Sequence, residues 1–170
     1  MQRRSFLKAG LFGALALVAG GAVYRQMRPP VPSRFALDQQ GRTMLAAVIP
    51  AIVGPQVPAG AQRTAALEAA VGRVAGAING LPLPMQKEIS DLFGLLSMAP
   101  TRRLLAGVPP WEEATPEQVS AFLQGWRTHR TEMLQTAYHG LHDLVLGAWY
   151  SEPSTWAGIG YAGPMQELSA

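Results

Sequence analysis

The sequence contains no cysteine. That excludes a disulfide framework, a thiolate metal site, an iron–sulfur ligand set and a CxxCH haem attachment. Charge is also scarce. Charged residues make up 15% of the 170, against roughly 25% in an average soluble protein, and hydrophobic residues make up 48%. Part of that apolar excess belongs to the N-terminus. The rest points to a globular body with a surface that another molecule covers. No Val/Ile/Thr-rich alternating segment is present, so no strand is expected, and no repeat of fixed period occurs.

Recognised catalytic templates are missing as well. The chain has no nucleophile elbow, no Walker loop and no zincin helix. Gly158-Ile159-Gly160-Tyr161-Ala162-Gly163 spells GxGxxG by letters only. No strand precedes it and no clear helix follows, so dinucleotide binding is not expected. Glu112-Glu113 pairs two carboxylates, but in a Pro-flanked loop just before a helix start, where acid residues suit the helix dipole.

What is there begins with the leader. Arg3-Arg4-Ser5-Phe6-Leu7-Lys8 is followed by an apolar run, residues 9–24, rich in Gly and Ala. A spanning helix needs about 20 strongly apolar residues. This run is shorter and softer, and a basic region precedes it, so it reads as a signal segment. Arg3, Arg4, Phe6, Leu7 and Lys8 match the twin-arginine export consensus, an address read by the translocase rather than an anchor. The leader is either cut or kept as a tether. Residues 25–37, with Pro29-Pro30-Val31-Pro32, read as a stiff linker. The net charge of +3 misleads: residues 1–24 hold Arg3, Arg4 and Lys8, and the remainder carries 11 basic and 11 acidic residues. A neutral body without a basic cluster gives no case for nucleic acid.

The body, residues 38–170, reads as all-α: a compact bundle of five or six helices ending in an irregular aromatic tail. Asp38 caps a first helix carrying Met44, Leu45, Val48 and Ile49, which is expected to stop near Pro50. Gln62 to Asn79 places Leu67, Val71, Val74 and Ile78 at spacings of 4, 3 and 4. A third helix, from about Pro84 to Met98, aligns Ile89, Leu92, Phe93 and Leu96. Pro100 opens a short piece through Leu105. Thr115-Pro116-Glu117-Gln118 is a helix start with Thr at the N-cap, Pro at N1 and Gln at N3. A last helix, about Thr131 to Tyr150, sets Leu134, Tyr138, Leu141, Val145 and Ala148 on one face.

The polar candidates cluster on that last helix. His139 and His142 lie about 60° apart around it and could share a metal, with Asp143 one turn on to orient His139. A solvated helix flank fits them better, because His139 and Asp143 sit opposite Leu134 and Leu141, and no Glu-x-x-His accompanies them. The tail concentrates Trp149, Tyr150, Trp156 and Tyr161 within 13 residues. Aromatics at that density need burial. They pack either on the chain's own helices or against a partner, where Trp and Tyr are enriched.

The ending Ala148-Trp149-Tyr150-Ser151-Glu152-Pro153-Ser154-Thr155-Trp156-Ala157-Gly158-Ile159-Gly160-Tyr161-Ala162-Gly163-Pro164 resembles that of the gluconate 2-dehydrogenase subunit 3-like proteins. Two further features are similar: the twin-arginine leader, and Ala46-Ala47-Val48-Ile49-Pro50 followed by Pro58, Gly60 and Ala61. Ala47 or Val48 stands where that family usually has Asp. The resemblance implies a non-catalytic small subunit with no cofactor of its own. FAD would sit in a large glucose-methanol-choline-type subunit, carried out through the twin-arginine translocase, and a cytochrome c subunit often takes the electrons. It implies a periplasmic or membrane-associated location, and partner contact through Trp149, Tyr150, Pro153, Trp156, Gly160 and Tyr161. The competing expectation is an independent exported helical protein with a metal or electron-transfer site at His139 and His142.

Overall fold

The structure is a computed structural model that describes residues 34–164. The expected export signal, with Arg3, Arg4, Phe6, Leu7 and Lys8, lies outside the described residues. The described chain is all-α, without a strand. Its six α-helices are α1 (Gln39–Val53), α2 (Gln62–Asn79), α3 (Leu83–Ser97), α4 (Ala99–Leu105), α5 (Pro116–Arg127) and α6 (Glu132–Tyr150). Two 3-10 turns, Gly54–Gln56 and Pro153–Ile159, follow α1 and α6.

Helix α1 is the hub. Between Thr43 and Val53 it has no charged residue, and Met44, Leu45, Val48 and Ile49 are all 0% exposed. Each such side chain contributes about 1.5–3 kcal/mol on leaving water. Helices α2, α3, α5 and α6 all pack on α1, and α2 also runs against α6. The apolar faces expected from spacing are the ones buried: Val71, Val74 and Ile78 on α2, Val119, Phe122, Leu123 and Trp126 on α5, and Tyr138, Leu141, Val145 and Ala148 on α6.

Helix starts follow local chemistry. Asp38 Oδ1 accepts from the Gly41 N–H at 2.7 Å. Thr115 and Gln118 form a reciprocal capping box, at 3.3 and 2.9 Å. The end of α1 departs from the proline rule. Pro50 lies inside the helix, which continues to Val53. Proline removes only its own N–H bond, one turn from the end, and the burial of Ile49 and Val53 holds the last turn in place. Gly54, at φ 68, ends it, and its N–H donates to the Pro50 carbonyl.

The expected linker also gives up residues to the body. The compact unit begins at Arg34. Phe35 is buried and meets Phe93 edge-on at 5.7 Å, while Leu37 packs beside it. The Phe35 N–H donates to Gln86 Oε1 at 2.9 Å. Gln86, on α3, is itself buried; its amide Nε2 donates to the carbonyls of Asn79 (3.2 Å) and Leu81 (2.8 Å). One side chain thus ties the entering strand of chain, the end of α2 and the start of α3.

Gln86→Leu keeps the volume but orphans one N–H and two carbonyls. It is expected to lower unfolding stability by about 2–4 kcal/mol, read as a shift in urea midpoint at unchanged slope. At the start of α5, the exposed Glu117 carboxyl is held below its ordinary value of 4.5, first by its backbone N–H and then by the Thr115 hydroxyl. A lowered folded pKa gives stability that is present above the ordinary value and is lost as pH falls. Melting temperature should therefore drop less on acidification below that value in Glu117→Gln than in the parent chain.

Candidate functional site

The C-terminal aromatics divide between two environments. Trp149 lies in the core at 3% exposure, so its side chain is not offered to a partner; its indole N–H is buried without a partner atom. Tyr150 is half-buried and packs against the same core. Beyond them, the tail expected to be irregular forms the 3-10 turn Pro153–Ile159. Pro153 at N1 suits that turn, which ends at Gly160 with φ 70, a left-handed conformation that favours glycine.

The turn is braced at every step. Trp156 Nε1 donates to the Tyr150 carbonyl at 2.7 Å. The Thr155 hydroxyl donates to the Glu152 carbonyl at 2.7 Å. The Tyr161 N–H donates to the Trp156 carbonyl at 3.1 Å, which brings the two rings edge-to-face at 5.2 Å. On the other side, Arg73 of α2 donates from Nε to the Ala148 carbonyl at 2.9 Å, and its Nη1 lies 3.9 Å from Glu152. The result is a fixed platform with Trp156 half-buried, and Ile159 and Tyr161 exposed at 50% and 49%. Pro153 and Gly160 are exposed beside them.

The histidine pair stands elsewhere on α6. His139 is exposed, and His142 is partly exposed. Their rings flank Tyr138, at centroid distances of 5.1 and 5.4 Å. Asp143 was expected to orient His139, yet its Oδ1 lies 3.1 Å from His142 Nδ1. The adjacent residue, not the one a turn back, is the partner that Asp143 meets. Among the described residues no group of three or more His, Asp or Glu is placed to share a metal ion. His142 and Tyr138 border a cleft of about 160 Å³ with Ala51, Ile52, Ser120, Leu123 and Gln124. No described helix is long and apolar enough to cross a membrane.

Sequence reading missed Gln86 and Gln56. Gln86 left a signal, a polar residue at the head of the 86, 89, 93, 96 apolar face of α3. Gln56 left none: its amide donates to the Gly158 carbonyl at 3.0 Å, 102 positions away.

Trp156→Ala removes the indole that closes the turn. Hydrogen exchange at the Gly160 and Tyr161 amides should rise about tenfold or more, while Val48 and Ile49 in α1 keep their protection. Equal acceleration at both places would make Trp156 part of the global core instead. No family model, curated protein or solved structure matches this chain.

Proposed function

We propose that this chain is the non-catalytic small subunit of an exported FAD-dependent sugar or alcohol dehydrogenase. Its task is to stabilise the folded flavoprotein subunit and to lend it a twin-arginine signal. The observation that carries the reading is the braced tail, which presents Ile159 and Tyr161 half-exposed on a hydrogen-bonded turn. An aromatic surface fixed in advance loses little entropy on binding, and such residues dominate interface energies. The Arg3-to-Lys8 motif supports the escort role. Twin-arginine export moves folded proteins, so a partner that binds before transport travels on one signal.

In this reading FAD belongs to the large glucose-methanol-choline-type subunit, a cytochrome c subunit accepts the electrons, and the complex works in the periplasm or at its membrane face. Replacing Arg3 and Arg4 together by Lys should leave both this chain and the flavoprotein in the cytoplasm. Fractionation followed by flavin measurement checks this. Normal export of the flavoprotein beside a retained small chain would remove the escort role.

A further inference from the structure

The cleft beside His142 takes its walls from three helices. Ile52 comes from the end of α1, Ser120, Leu123 and Gln124 from α5, and Tyr138 and His142 from α6. Ser120, Gln124, Tyr138 and His142 can hydrogen-bond, and each has capacity to spare. Tyr138 is 7% exposed, yet its hydroxyl has no hydrogen-bond partner among the described residues and is not sealed from solvent. The buried indoles of Trp111 and Trp126 each meet a carbonyl, so an unmet hydroxyl on a core ring calls for a partner in the cleft. Asp143 Oδ1 lies 3.1 Å from His142 Nδ1. A carboxylate only accepts, so Nδ1 carries the proton and the neutral ring leaves Nε2 as an acceptor. Gln124 Oε1 accepts from Arg127 Nη1 at 3.4 Å, which leaves the Gln124 amide hydrogens as donors. The Ser120 hydroxyl has no partner among the described residues either.

We propose that this cleft binds a small uncharged molecule carrying neighbouring hydroxyl groups. The walls select that chemistry by elimination. No Lys or Arg lines the cleft to hold an anion, and no Asp or Glu lines it to hold a cation; Asp143 is already paired with His142. A purely apolar ligand would take water from four polar side chains and return no hydrogen bond. A ligand with acceptors alone would leave His142 Nε2 unmet. A hydroxyl both donates and accepts, and so do the Tyr138 and Ser120 hydroxyls that would face it. Two adjacent hydroxyls can therefore meet the Nε2 acceptor and the Gln124 donor together, while Ile52 and Leu123 cover the carbon chain between them. Size sets the limit. The cleft holds about 160 Å³, and a cavity of roughly 150 Å³ takes one six-membered ring. The site shares no residue with the braced tail and does not depend on a flavoprotein partner.

The test titrates the full ¹⁵N-labelled chain with erythritol and follows the His142 ring nitrogens and the Leu123 amide by NMR. The expected result is a saturable shift at both, with half-saturation on the order of millimolar, as suits so few ligand atoms. Tyr138→Phe keeps the buried ring and removes only the hydroxyl; it should weaken binding about fivefold. Gln124→Ala, at an exposed position that the fold tolerates, should weaken it by a similar factor. Tyr150→Phe, outside the cleft, should match the parent. Circular dichroism and melting temperature confirm that each variant folds. Shifts that grow linearly with erythritol would mean that the cleft holds water alone, and would overturn the proposal. Unchanged affinity in both Tyr138→Phe and Gln124→Ala would place the binding elsewhere and overturn it too. Tighter binding of acetate or of benzene than of erythritol would overturn the assignment to a hydroxyl-bearing ligand.

Discussion

The C-terminal carbonyls of a helix have no partner inside it, and their satisfaction organises this fold. The Asn79 carbonyl ending α2 is met by Gln86, and the Leu96 carbonyl near the end of α3 by Trp111 Nε1 at 3.0 Å. The Leu105 carbonyl closing α4 takes Trp126 Nε1 at 2.7 Å. At the end of α6, Arg73 reaches Ala148 and Trp156 reaches Tyr150. In each case the donor is a long side chain, and in most it comes from another element. The same residues that bury apolar area therefore also fix where helices stop and which neighbour each one faces. Hydrophobic burial on α1 supplies the driving force but is not directional. These donors add direction.

That division explains what was legible in the sequence. Features set by a residue's near neighbours were readable: the Asp38 cap, the Thr115–Gln118 box, the bounds of α2 and the buried stripe of α6. Features set at a distance were not. Pro50 argued for a stop, and the burial of Val53 overrode it. Pro-rich context argued that Phe35 and Leu37 belonged to a linker, and a glutamine 51 positions away drew the segment into the body. The tail's lack of periodicity argued for irregular chain, yet Pro153 and the Trp156 indole suffice to build a 3-10 turn.

The candidate site shows the same limit. Aromatic density singled out the tail without sorting its members between core and surface. Trp149 and Trp156 are seven apart, two turns of an ideal helix, and would share a face if α6 continued. The helix ends at Tyr150 between them, so one indole is committed to the core and the other to the platform. The two candidate histidines fell on the expected helix flank, but Asp143, which follows both, meets the adjacent His142 rather than His139 one turn back. Spacing along one helix predicts which side chains share a face, not which pair closes.

The tail shows how few donors are needed to fix a short turn at a helix end. The donors that brace Pro153–Ile159 fix the backbone that carries Ile159 and Tyr161, which the chain leaves half-exposed. The bracing comes from α2 through Arg73, from the end of α6 through the Tyr150 carbonyl and from the loop after α1 through Gln56, so three elements set one turn.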